Sequence, residues 1–531
     1  MPQRYNLWIP LFIALLLLGI FYNLWERPLF GVEGRWAEAA REMTLRGSWF
    51  VPTLNFEPHV TKPLLPFWLI KISGELFGYS EFTVRLPGAL LALFSLFLFY
   101  LLTKKLFTRE WAIVGTALYG VSLGFLQFSR LAQSEIYQLF GIVAGIAVYV
   151  YYRDKTSLKG YLLFIISLLF GALSKGLTAV AVLGLFVIID VLTFRRFYHL
   201  NLKFFLALIS GIGLYFFPYY LTSRELQGEL PFYLWFRENL KQAVDPYDNL
   251  RPFYIYFYFW PLWVAPFSLF LVFLLYDRLR IFKRLPGDER SFLLANIFIF
   301  LLFCLAKARR GYYILPLLPF TVTSLTFYLK ELKKTLLLKI HAGIAYFLPL
   351  GTILGLYLLH QKGYQITWEI LAGLFLTITL QGLLILRCRR VSEAPQKIFT
   401  LLLIFLLSEI LYFSFLQPVY SSTTEKEAGQ RIQTFVKTYP QARICSLSPE
   451  EKPVANFYFY AGIQSKVEDF RDLKESIFNC DALVVRKHLR EEWIRTFQER
   501  GFGLIRFESQ KDRSKNYYIF YNSSILKTPS F

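Results

Sequence analysis

The chain has 531 residues, of which 55% are hydrophobic, 19% aromatic and only 18% charged; an ordinary soluble domain is less apolar and more charged, so lipid is its main solvent. The formal net charge of +21 is spread between apolar runs rather than gathered on one folded face, which argues against nucleic acid as a partner and for membrane insertion. The four cysteines form no CxxC and no Cys/His cluster, which leaves a structural zinc site without support.

The first apolar run, 7–24, lacks a small-residue cleavage site and opens a repeated pattern, so it reads as a retained span and not a signal peptide. A helix needs about 20 residues to cross the hydrocarbon layer. Runs of that kind predict about thirteen spans, at 8–25, 83–103, 111–128, 135–152, 160–174, 177–194, 204–221, 253–276, 291–306, 311–329, 339–359, 366–386 and 397–417, the fifth and ninth being short. With Met1 in the cytoplasm, every inner connection is basic, from Lys104, Lys105 and Arg109 to Arg387, Arg389, Arg390 and Lys397. That asymmetry sets orientation, and an odd span count sends the tail to the non-cytoplasmic side.

Two outer connections, 26–82 and 222–252, are too long for turns. In the first, 33–45 and 64–77 each have a polar and an apolar face, as expected of helices lying in the membrane interface. From about residue 422 the composition becomes that of a soluble domain. Short apolar runs at 443–447 and 482–485 suit buried strands, 489–500 has helical spacing, and 502–508 with 517–521 forms a closing hairpin. The expected architecture is an all-α polytopic transmembrane bundle over 1–421, with interfacial helices in its first outer loop and a periplasmic α/β domain over 422–531. Cys445 and Cys480 both fall in that domain, where an oxidising compartment permits a bridge.

Ionisable residues at the outer ends of spans are costly near lipid and mark function. Four groups qualify: Glu33, Arg35, Glu38, Arg41, Glu57, His59 and Lys62 in the first outer loop; Arg130 and Glu135; Lys175; and Lys307, Arg309 and Arg310 followed by Tyr312 and Tyr313. Their cations break the positive-inside pattern. Converging cations with tyrosine donors suit a phosphate or pyrophosphate group in a partly dehydrated site. The plainer alternative for any one of them is snorkelling to lipid headgroups.

The run Glu33-Gly-Arg35-Trp36-Ala-Glu38-Ala-Ala-Arg41-Glu42-Met43, with Gly47-Ser-Trp49-Phe-Val51-Pro52 and Lys62-Pro63, resembles the first periplasmic loop of bacterial aminoarabinose (lipid A) transferases and related GT-C glycosyltransferases, including the protein mannosyltransferase-like family. Ser174-Lys175-Gly176, Arg251-Pro252-Phe253-Tyr254 and the segment from Lys307 to Tyr313-Ile314-Leu315-Pro316 are similar to further family segments, so the resemblance covers about residues 25–320. It implies inverting transfer of a sugar from a polyprenyl-phosphate donor to a lipid or glycolipid acceptor, lipid A-like, at the periplasmic face of the bacterial inner membrane. Where the family has Asp-Glu this chain reads Val32-Glu33, and a second family aspartate corresponds to Glu135. The general base is therefore expected at Glu33, with Glu135 as the alternative. Lys62, Arg251 and Tyr313, helped by Arg35, are expected to bind the carrier phosphate; Arg130, Lys175, Lys307 and Arg309 either join them or hold an anionic acceptor or sugar.

His59 shares its loop with several acids, but the spacing matches no ligand pattern, so no cofactor and no metal is expected, although GT-C enzymes differ in their need for a divalent ion. Glu409 sits within the last span without a visible partner. Two rival readings stand beside the transferase. A transporter or flippase for an anionic lipid would also collect charges, but it commonly shows internal repeats and a midplane site. A non-catalytic membrane scaffold gains from Val32 and leaves the outer cations unexplained.

Overall fold

The computed structural model describes residues 8–246, 249–332, 335–361, 366–447, 455–486, 491–509 and 516–523. It is mostly helical and divides into two compact units, one formed by 1–24, 60–66 and 85–419, the other by 25–59, 67–84 and 420–531. Among the described residues eight helices are long and apolar enough to cross a membrane: Glu81–Leu106, Ser134–Tyr152, Leu158–Lys175, Leu202–Leu226, Gly311–Lys330, Leu336–Leu358, Trp368–Arg390 and Ala394–Val419. Two bent pairs, Arg109–Val121 with Leu123–Ser129 and Ile255–Val264 with Ser268–Arg280, raise that to ten, and Trp8–Phe21 and Thr178–Phe194 are shorter apolar helices. The chain is thus a multi-pass membrane protein.

In lipid every backbone group needs an internal partner, so a broken helix has to be repaired by a neighbour. The two bent pairs repair each other: the Leu123 N–H donates to the Ala265 carbonyl across 2.9 Å. A Cβ on Gly124 would stand only 2.8 Å from the Trp263 side chain, which is why this approach needs glycine. Arg130 does similar work at the end of the first helix. Its guanidinium donates to the Gly19 and Tyr22 carbonyls at 2.6 and 2.8 Å, while Asn23 reaches the Ser414 carbonyl at 2.9 Å, within the π-helical turn Leu411–Leu416 of the last span. Glu409 lies just before that turn, and its Oε2 has no hydrogen-bond partner among the described residues.

The Ser134–Tyr152 and Leu158–Lys175 helices run antiparallel and touch backbone to backbone. A Cβ on Gly141 would fall 2.5 Å from the Gly171 nitrogen, the small-residue contact by which membrane helices approach closely. This contact brings the first turn of one helix beside the last residue of the other. At the opposite ends of the same helices, Asp190 is wholly buried and accepts from Tyr149, Arg153 and Arg196 at 2.9, 3.2 and 2.8 Å.

The second unit joins residues 25–59 and 67–84 to the C-terminal residues. The strands of its five-stranded sheet are β1 (Ile444–Leu447), β2 (Glu468–Phe470), β3 (Ala482–Arg486), β4 (Phe502–Phe507) and β5 (Tyr517–Asn522), in the order β2-β1-β3-β5-β4, with β1 parallel to β2 and β3 and with β5 antiparallel to β3 and β4. The β4–β5 pair is the hairpin expected from the sequence. Cys445 and Cys480 are bonded in a disulfide. The Glu33–Leu45 helix, expected to lie amphipathically in the interface, is instead buried over most of its length, charges included. The reason is visible in its partners. Gly34 abuts the backbone of Asn456, Arg41 binds Glu38 through two nitrogens and also the Ile463 carbonyl, and Glu42 accepts from Thr53 and from the Asn55 and Phe56 N–H groups. Asn55 in turn pairs with Val467 through both its amide atoms.

Two outcomes follow from this packing. Gly34→Ala drives a Cβ to within 2.6 Å of the Asn456 Cα and should lower stability by about 1–3 kcal/mol, the usual cost of overpacking, whereas Gly184→Ala, which meets open space, should not; equal thermal midpoints for the two variants would contradict the packing. Burial pushes the Glu38 carboxyl up to about 7, so the folded state holds a proton that the unfolded state releases at the ordinary carboxylate range. The stability contributed by that proton is complete below the ordinary range and is lost as pH rises through about 7. Glu38→Gln should flatten this slope in thermal unfolding scans at stepped pH; an unchanged slope would show that Glu38 is not its source.

Candidate functional site

The first unit gathers ionisable residues at helix termini. Glu135 stands in the first turn of Ser134–Tyr152, where the free N–H groups favour an anion, and Lys175 closes Leu158–Lys175, where the carbonyls favour a cation. The antiparallel pairing of these helices puts Lys175 Nζ 2.9 Å from Glu135 Oε1, and the two side chains are 17% and 5% exposed. An ion pair so far from water gains Coulomb energy but has lost hydration, and leaving one partner unpaired there is costly.

The aromatic rings of the Gly311–Leu317 turn cover this pair. Lys175 Nζ lies 5.2 Å from the Tyr312 ring centre and 4.6 Å from that of Tyr313, within cation–π range. Arg310 donates to the Tyr312 hydroxyl at 2.7 Å and to Asn249. Lys62 and Arg310 both act electrostatically on Lys175, which places all three cations in one group. Lys62 Nζ is itself 2.9 Å from Glu238 Oε2, and the other Glu238 oxygen faces Arg237 at 3.2 Å.

The connection after Lys175 is shaped by Gly176, whose φ of +94° lies in the region that favours glycine. A side chain there would also meet Asn239, 2.3 Å away. Asn239 accepts from the Leu177 N–H at 2.8 Å and donates to the Trp235 carbonyl at 2.9 Å, pinning the π-helical turn Arg237–Lys241 against the end of the Lys175 helix.

Of the residues expected from the sequence, Lys62, Glu135, Lys175 and Tyr313 therefore come together. Arg130 does not join them through its guanidinium, which is buried and turned to backbone carbonyls. Arg309 likewise donates to the Arg251 and Cys304 carbonyls at 2.8 and 2.9 Å. Arg251 and Lys307 are exposed, and Lys307 is tied through its backbone N–H to Ala243. Glu33 and Arg35 belong to the other unit. Glu33 is wholly buried, with Oε2 accepting from Arg27 at 2.8 Å and from the Phe30 N–H at 3.0 Å; Arg35 is half-buried on the same helix. Sequence reasoning missed Glu238, Asn239 and Asn249. Their only signal was membership of the long 222–252 connection, since none lies at the end of an apolar run. Among the described residues no group of three or more His, Cys, Asp and Glu is placed to hold a metal ion.

Residues 61–220 match the family model described as dolichyl-phosphate-mannose-protein mannosyltransferase. Over 293 residues the chain is 28% identical to the undecaprenyl phosphate-alpha-4-amino-4-deoxy-L-arabinose arabinosyl transferase 2 of Proteus mirabilis, covering 54% of this chain and 52% of that one. Over 337 residues it is 27% identical to the corresponding transferase of Photorhabdus laumondii, covering 61% and 60%. The chain thus spans between about half and three fifths of the length of the curated relatives it matches. Its fold superposes on the crystal structure of ArnT from Cupriavidus metallidurans bound to undecaprenyl phosphate with a TM-score of 0.75 and 16% identity, over 98% of this chain and 99% of that one. The chain is therefore a membrane protein similar in sequence, over part of its length, to aminoarabinose transferases, and it shares the fold of ArnT.

Proposed function

We propose that the chain is a glycosyltransferase of the bacterial inner membrane that moves a sugar, with inversion, from a polyprenyl-phosphate donor to a lipid A-like acceptor on the periplasmic face, with its N-terminus in the cytoplasm and its C-terminal residues in the periplasm. The observation that carries this reading is the Glu135–Lys175 pair set among Lys62, Arg310 and Tyr313 at the ends of apolar helices. Such helices are about as long as the hydrocarbon layer is thick, so their termini belong to the lipid headgroup level, where a carrier phosphate sits. A transporter of the same lipid would place its charges near the midplane.

In the proposed reaction the acceptor hydroxyl attacks the anomeric carbon as the bond from that carbon to the phosphate oxygen breaks. The electron pair leaves on the phosphate, whose negative charge grows by one. Lys62 and Lys175, with Arg310 and the Tyr313 hydroxyl, stabilise that growing charge in a site with little water. Phosphate oxygens compete with Glu135 for the Lys175 ammonium, and the released carboxylate takes the acceptor's proton. No cofactor is assigned to any step. Arg251 and Lys307, exposed near the same segments, are left to meet an anionic acceptor. Glu33, enclosed by Arg27 and the Phe30 N–H, serves in this reading as an anchor of its loop, and Glu135 takes the role of base.

Purified protein supplied with undecaprenyl-phosphate 4-amino-4-deoxy-L-arabinose and lipid A tests the assignment. Glu135→Gln should slow transfer by about a hundredfold or more, the usual worth of a general base, while carrier binding is kept or strengthened; Glu33→Gln should keep its turnover. A folded, carrier-binding Glu33→Gln protein without turnover, beside an active Glu135→Gln protein, would move the base to Glu33.

A further inference from the structure

Lys62 is the most exposed cation of the group, yet it is already neutralised. Glu238 presents one oxygen to Lys62 at 2.9 Å and the other to Arg237 at 3.2 Å, and its own side chain is only 11% exposed. A carboxylate bracketed by two cations through both oxygens imitates a bound phosphate. The placement is built into the chain. Asn239, the next residue, is bonded on one side to Leu177 and on the other to Trp235, so the π-helical turn that carries Glu238 is held against the segment that follows Lys175.

The charge count gives this carboxylate a consequence. Among the described residues Lys62, Lys175, Arg237 and Arg310 stand with Glu135 and Glu238, and loss of Glu238 makes the charge of this group more positive by one. A polyprenyl-phosphate sugar is a phosphodiester with a single negative charge. The carrier left after transfer is a monoester of charge about −1.5 to −2 at neutral pH. Any added positive charge therefore favours the spent carrier more than the donor.

We propose that Glu238 is a resident counter-ion that discriminates between the two: it occupies Lys62 in the empty protein, yields that place to a bound phosphate, and weakens the hold on the more highly charged product so that the carrier leaves. This inference rests on the reading of the cluster as the carrier-phosphate site. It assigns Glu238 a role in specificity and product release, outside the bond-breaking step.

The test measures binding of undecaprenyl monophosphate and of its methyl phosphodiester to the full-length protein in lipid nanodiscs. Glu238→Gln and Glu238→Ala are compared with the native chain and with Lys62→Met, and thermal midpoints verify folding. Both Glu238 variants should bind the monophosphate about tenfold more tightly, gain distinctly less for the diester, and show stronger inhibition of turnover by added monophosphate. Where one variant fails to fold, the other carries the comparison, since only loss of the charge matters. Unchanged or weaker monophosphate binding in the folded variants, with binding still lost in Lys62→Met, overturns the role of Glu238 alone. Native protein that binds neither lipid, or Lys62→Met that binds both as the native chain does, overturns the site reading as well.

Discussion

An ammonium and a carboxylate 2.9 Å apart, each at the terminus of an apolar helix and each largely shut off from water, impose the constraint around which the first unit is built. Neither Glu135 nor Lys175 can be left alone in such surroundings, because an unpaired charge there costs several kcal/mol. Their helices are therefore brought together at both levels: by the Gly141–Gly171 backbone contact along their length, and by the tyrosine rings of the Gly311–Leu317 turn above the ammonium. A partner that satisfies Lys175 better than Glu135 does frees a carboxylate in a dry site. In the proposed reaction, binding and proton acceptance are linked through that exchange.

The same rule, that buried charge finds a partner, separates four of the cations singled out in the sequence into two kinds. Arg130 and Arg309 direct planar guanidinium groups at clusters of carbonyls and hold the backbone where helices end or break. A guanidinium with five donors suits that work. Lys62 and Lys175 are compact point charges paired to single carboxylates, and a point charge on a flexible stem exchanges one anion for another with little rearrangement. Among these four, the two arginines serve as scaffold, and the two lysines have the side-chain chemistry that suits exchange of an anion.

Much of the architecture was legible in the chain itself. Apolar runs marked the spans, the Phe502–Phe507 and Tyr517–Asn522 strands alternated as a hairpin should, and cations at the wrong ends of spans pointed to Lys62, Lys175 and Arg310. Three things were hidden. Arg130 and Lys175 look alike as lone outer cations, and only the fold shows that carbonyls 108 and 111 positions away absorb the former. Glu238 meets Lys62 across 176 positions, a separation at which no spacing rule operates. The Glu33–Leu45 helix has the pattern of an interfacial helix, yet its charges are satisfied by Arg41, Thr53 and the Ile463 carbonyl, because residues of the C-terminal part complete a loop that sequence reasoning treated as separate.

The most direct measurement is a structure of the full-length protein in nanodiscs with undecaprenyl monophosphate bound. Phosphate oxygens should lie within hydrogen-bond distance of Lys62 Nζ and Lys175 Nζ, with Glu238 withdrawn from Lys62. A phosphate bound elsewhere, with the Lys62–Glu238 and Lys175–Glu135 pairs intact beside it, would contradict this placement.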